Sequence, residues 1–232
     1  IQMPAGSGWI NNWGASSYEF LTGGDCVTIT MQYSYLPSVF AYLVDKSSPK
    51  QAAQELMRVV QEELDKLPEE NRPRLYFAGE SLGAYAIMDN FHNVDELLSA
   101  CNGAVFSGPP RMTRFTQRLR RDIGSLERLP VIDGGKHVRY AAAPEHTLHD
   151  AFGNDFTHAW RRPRMLIAQH ASDAIVWWDL NLLVRRPTWI HEPQPEALHA
   201  DTFRQLRWVP FITWWQIGLD QINSLNVPGG HG

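Results

Sequence analysis

The stretch 75–85, Leu-Tyr-Phe-Ala-Gly-Glu-Ser-Leu-Gly-Ala-Tyr, leaves few folds open to this chain. An apolar run leads into Gly79, Glu80, Ser81, Leu82 and Gly83, a GxSxG pattern, and a helix-compatible run follows it. A serine in so tight a strand-to-helix turn must take a strained backbone, and flanking glycines let strand and helix pass closely. The turn pushes Ser81 Oγ out above a sheet. It also sets the Leu82 N–H at a helix N-terminus, where it can donate to an oxyanion. Ser81 is therefore the candidate nucleophile, and Leu82 a candidate oxyanion donor.

The surrounding pattern supports a parallel sheet covered by helices. Residues 27–35 alternate and are rich in Thr, Val, Ile and Tyr, which predicts a strand ending before Pro37. Residues 49–67 carry Ala52, Leu56, Val59, Val60, Leu64 and Leu67 at helical spacing, with Pro68 beyond. After the elbow, residues 103–107 form a short apolar run stopped by Gly108-Pro109-Pro110, and residues 164–169 return to strand character. Strand, helix, strand, elbow, helix is the order of an α/β fold. From 111 to 162 the alternation is lost, which suggests a cap or insertion.

Length and charge narrow the function. At 232 residues the chain suits one domain with a sizeable core. A net charge of −4 argues against general nucleic-acid binding and for small-molecule or lipid partners. Cys26 and Cys101 lie in apolar contexts, where buried free thiols are the default and a disulfide is the alternative. No stretch is long and apolar enough to read as a membrane span. Nine tryptophans, several late in the chain, suit either core packing or a half-wet interface. The start at Ile1, with neither an initiator Met nor a signal peptide, leads to the expectation of a piece cut from a longer protein.

Further candidates lie on both sides of the elbow. The Pro4-Ala5-Gly6-Ser7-Gly8 loop follows an early strand, and its N–H groups, those of Gly6 and Ser7 above all, suit the second half of an oxyanion hole. A plain turn would look the same. Asp173 comes just past a late strand, where a doubly wound sheet puts working carboxylates, and Asp179 is its weaker rival. Two histidines follow. His231, on a glycine-flanked loop, is favoured as base over His199, which precedes a helix-like segment at 201–225. Arg111, Arg114, Arg118 and Arg121 share a helical face beside Met112, Phe115 and Leu119; such a face meets anionic headgroups or is simply solvated over the core. His146, His149 and Asp150 form a weak metal pattern, so no metal and no cofactor is expected.

Several stretches together resemble a bacterial family of α/β-hydrolase-type proteins often joined to N-terminal membrane helices. They are the QYSYLPS run at 32–38, GESLGA at 79–84, SGPP at 107–110, QHASD at 169–173 with Val176-Trp177-Trp178, and VPGGHG at 227–232. The resemblance covers nearly the whole chain. It implies a three-layer α/β sandwich with Ser81 as nucleophile, Asp173 as acid and His231 as base, and the Gly6-Ser7 loop facing the oxyanion. It further implies a bacterial, membrane-associated protein whose membrane part lies outside this sequence. The expected chemistry is hydrolysis of an ester, of lipid or acyl type, through an acyl-enzyme. Acyl transfer to a lipid or sugar hydroxyl, and a non-catalytic domain binding lipid or a partner, stay open.

Overall fold

In the computed structural model the placed residues are 1–10, 12–33, 47–123, 129–170, 173–187 and 207–223. Five strands form one parallel sheet: β1 (Gln2–Met3), β2 (Tyr76–Glu80), β3 (Gly103–Ser107), β4 (Val138–Ala141) and β5 (Met165–Ala168), in the spatial order β1-β2-β3-β5-β4. The helices are α1 (Asn12–Leu21), α2 (Ser47–Asp65), α3 (Leu82–Met88), α4 (Val94–Ser99), α5 (Arg114–Ile123), α6 (Ala174–Trp177) and α7 (Ile212–Asn223). This is the α/β sandwich that the alternation of elements predicts.

Register explains where the core sits. Phe77, Ala104, Met165 and Val138 lie side by side across four strands, and Gly79, Phe106, Ile167 and Tyr140 form the next row on the same face. All eight belong to or border the main core, which also takes in Ala53 of α2, Ala84, Ala86, Ile87 and Met88 of the wholly buried α3, Leu97 of α4, and Phe115 and Leu119 of α5. Burying each of the larger of these side chains, the Phe, Ile, Leu, Val and Met, is worth about 1.5–3 kcal/mol. The sheet is thereby a rigid floor from whose carboxyl edge the loops of interest rise.

Two predicted elements differ. Residues 27–33 form no strand: Val27 is exposed, and one backbone bond, Gln2 N–H to the Ile29 carbonyl at 2.9 Å, ties the segment to β1. β-branched residues favour extended backbone, but a ladder also needs a partner in register. Residues 34–35 lie outside the described residues. Second, Val138–Ala141, inside the 111–162 stretch expected as a cap, is an edge strand of the sheet among the described residues. Its signature is hidden by Arg139, which is buried with the rest of the strand. The guanidinium donates to the carbonyls of Gly135, Thr147 and His158 and lies 3.8 Å from the centre of the Phe156 ring. A buried charge so satisfied can occupy a strand position that sequence patterning reserves for apolar residues.

The arginine face of α5 is partly committed to the fold. Arg118 donates to the carbonyls of Phe91 and His92, and Arg111 pairs with Asp179 at 3.5 Å. Arg114 and Arg121 are exposed. Phe115 and Leu119 are buried beneath, as the apolar stripe predicts. Asp89, at the end of α3, accepts the Phe115 N–H at 2.9 Å and so closes the first turn of α5. Both cysteines are free; Cys101 is buried and Cys26 half-buried. Among the described residues no helix is long and apolar enough to cross a membrane.

Candidate active site

Ser81 sits between β2 and α3 with φ 51° and ψ −117°. This is the left-handed half of backbone space, costly for any residue with a Cβ, and it persists only where the surroundings enforce it. The two glycines of the motif supply that enforcement. A Cβ on Gly79 would fall 2.6 Å from the backbone of Gly83, and one on Gly83 would fall 2.3 Å from the Met3 carbonyl oxygen. Strand, helix and the segment after β1 thus interlock through bare backbone. The Ser81 N–H donates to the Ser107 carbonyl at 2.8 Å, anchoring the turn to the end of β3. Ser81 is half-buried, and its hydroxyl is not spent on capping α3.

The Gly6-Ser7 loop starts beside this turn. Pro4 passes over the first turn of α3, and Ala5 to Gly8 close a β-turn through Gly8 N–H to the Ala5 carbonyl at 2.9 Å. Tyr33 holds the loop's base: its hydroxyl donates to the Pro4 carbonyl at 3.2 Å, and its ring packs on Leu82 and Tyr85. Burial pushes the Tyr33 phenol well up, so it stays a neutral donor. Gly6 and Ser7 occupy the turn's two corner positions.

Asp173 reaches the same edge of the sheet from β5. Its Oδ1 accepts the Ile175 N–H at 2.8 Å as the cap of α6, and its N–H donates to the His170 carbonyl at 3.2 Å. The other oxygen, Oδ2, lies over Gly108, where φ is +50° and an added Cβ would come within 2.9 Å of it. Burial raises the pKa of this carboxyl, against the lowering effect of the Ile175 and Val176 N–H groups and of His170. The chain thus runs from Ser81 to Ser107 by a hydrogen bond, to Gly108 by sequence, and to Asp173 by contact. Asp179, the rival acid, caps the 3-10 turn Leu180–Leu183 and pairs with Arg111.

Both candidate bases, His231 and His199, lie outside the described residues. His170, quoted above only as part of a motif, is the described histidine whose charge acts on Asp173. Gly108 was missed as a working position, although the SGPP run that contains it was legible. The metal candidates are engaged locally and separately: His146 accepts the Ala142 N–H, His149 bonds Asp155 at 2.8 Å, and Asp150 closes a loop with Phe152 and Asn154. A slot lined by Pro109, Arg111, Arg120, Gln169 and Trp177 leaves about 10 Å³, room for about one water and not for an acyl chain. A larger cleft of about 440 Å³ lies by Tyr76, Cys101 and Asn102, near the amino ends of β2 and β3 and so away from Ser81.

Comparison with curated proteins gives no match, and comparison with solved structures gives none either. Comparison with known families matches the alpha/beta-hydrolase family across residues 1–232. By that match, and by a parallel sheet that ends its second strand in a glycine-framed serine turn, this chain belongs to the alpha/beta-hydrolase family.

Proposed function

We propose that the protein is a serine hydrolase of carboxylic esters. The observation that carries this reading is the strained Ser81 backbone, held where its hydroxyl is left over from helix capping, with the half-buried carboxylate of Asp173 one strand beyond β3 on the same edge. A fold of stability alone has no use for that strain.

In this reading Ser81 Oγ attacks the ester carbonyl as His231 takes its proton. The tetrahedral oxyanion is held by the N–H groups of Leu82 and of the Gly6-Ser7 turn, where losing one donor typically costs about 100- to 1000-fold in turnover. Collapse breaks the ester C–O bond, and the imidazolium returns the proton to the leaving alcohol. Water then attacks the acyl-Ser81 through the same base, releasing the acid and free serine. Asp173 fixes the imidazole tautomer and stabilises the imidazolium.

A fluorophosphonate probe tests the nucleophile. Wild type is expected to be labelled and Ser81→Ala not; equal labelling of both removes Ser81 from the chemistry. Run beside it, His231→Ala is expected to lose labelling while His199→Ala and His170→Ala keep it. Product analysis with added lipid and sugar alcohols separates hydrolysis from acyl transfer.

A further inference from the structure

Helix α7 buries one face and leaves the other bare. Thr213 and Ile217 are buried, and Ile217 packs together with Trp214, Trp177, Trp178 and Leu182. Ile212, Trp215 and Leu219 are 54, 60 and 54% exposed. Their spacing of three and four residues puts them on one stripe. The stripe continues past the helix. Phe211 is 59% exposed, and its N–H donates to the Leu183 carbonyl at 3.0 Å, which brings exposed Val184 and Leu180 alongside. Scattered exposed leucines need no explanation, but a contiguous strip of this size does.

Two further observations bear on what the strip meets. Phe211 has φ 62°, a conformation rarely imposed on a bulky residue. The backbone is held there with the aromatic ring pointing out of the core, and strain of this kind collects at functional positions. Among the described residues around the strip Arg185, Arg186 and Arg207 are exposed, as is the carboxylate Asp220 on α7, while Asp179 is paired with Arg111. Tryptophan and phenylalanine in an apolar strip with an arginine rim match the chemistry of a negatively charged lipid surface.

We propose that this surface, Leu180, Val184, Phe211, Ile212, Trp215 and Leu219 with its arginine rim, docks the protein on anionic lipid bilayers. It is separate from the α5 arginines, two of which serve the fold. It is also independent of the chemistry at Ser81, so Ser81→Ala keeps it.

The test is co-sedimentation of the 232-residue chain with vesicles of phosphatidylcholine alone or mixed with phosphatidylglycerol. Wild type is expected to sediment with the mixed vesicles and far less with the neutral ones, with tryptophan emission shifting to the blue. Arg185→Glu with Arg186→Glu lowers binding about fivefold per charge or more. Phe211→Gly relieves the backbone strain, so its melting temperature does not fall, yet it binds about tenfold more weakly. Absence of sedimentation, equal binding to both vesicle types, or unchanged binding by Phe211→Gly overturns the proposal. So does a wild-type dimer, seen by sedimentation velocity, that Ile212→Asn converts to monomer, because the strip then belongs to a second copy.

Discussion

The Asp173 carboxylate lies so close over Gly108 that a Cβ there would stand 2.9 Å from Oδ2. One oxygen caps α6 and the other faces the loop that follows β3, the strand whose end also anchors Ser81. The side chain proposed as the triad acid is therefore also a structural cap.

The two roles are expected to separate on mutation. Burial raises the Asp173 pKa in the folded state above its unfolded value of about 3.9. The stabilising contribution of such an acid is full below the unfolded pKa and is lost as pH rises through the folded pKa, so at neutral pH the carboxylate is a burden on the fold. Asp173→Asn keeps an oxygen for the Ile175 N–H without the charge. It is expected to be at least as stable as wild type at pH 7, with turnover down by about 10⁴-fold. Asp173→Ala loses the cap at about 0.5–2 kcal/mol. Urea unfolding beside ester turnover checks both, and an Asn variant less stable than the Ala variant contradicts the account.

Ser81→Gly should stabilise the protein while abolishing probe labelling. Glycine takes φ 51° freely, whereas alanine keeps the strain, so Ser81→Gly is expected to exceed Ser81→Ala by about 1–3 kcal/mol in unfolding free energy. Equal stability of the two variants would mean that the turn stores no strain.

Gly79→Ala and Gly83→Ala are expected to cost more than about 3 kcal/mol each, because the added methyl meets backbone that cannot step aside. Thermal unfolding and soluble yield report this directly. A loss below about 1 kcal/mol, the ordinary scale of surface changes, refutes the interlock.

Turnover of a short-chain ester should rise with pH through an apparent pKa of about 6.5, since only neutral imidazole serves as base. A profile that stays flat across about pH 5 to 8 is incompatible with a histidine base.

The two thiols should differ in reactivity. Burial pushes the Cys101 thiol up to about 11, and its S–H donates to the Leu97 carbonyl. Cys26 is half-exposed. Iodoacetamide at mildly alkaline pH is expected to modify Cys26 in the native protein and Cys101 only after unfolding. Peptide mapping decides between them, and native modification of Cys101 at the faster rate runs against the packing described.

Sequence reads best where the physical demand is local. The elbow needs two glycines within reach of the serine, and both stand in the motif, so the turn was legible residue by residue. The place of Asp173 near the carboxyl end of β5 was legible because the apolar run that forms the strand lies shortly before it. What escaped depends on distant partners. Gly108 matters through a side chain 65 positions away, by subtraction of the two numbers. Residues 27–33 have strand composition without a strand's neighbours, and β4 hides behind a charge whose acceptors are carbonyls from three loops. The preference for His231 over His199 falls on positions outside the described residues and rests with mutagenesis.

Arg139 has an effect beyond holding loops together. Among the described residues β4 is the last strand on its side of the sheet, the place where a parallel sheet would otherwise recruit a strand from another molecule. An inward-pointing charge, here buried and held by its own carbonyls, is one of the devices by which margins of this kind discourage such recruitment. The residue that disguised the strand in the sequence thus also fits the pattern of a guarded edge.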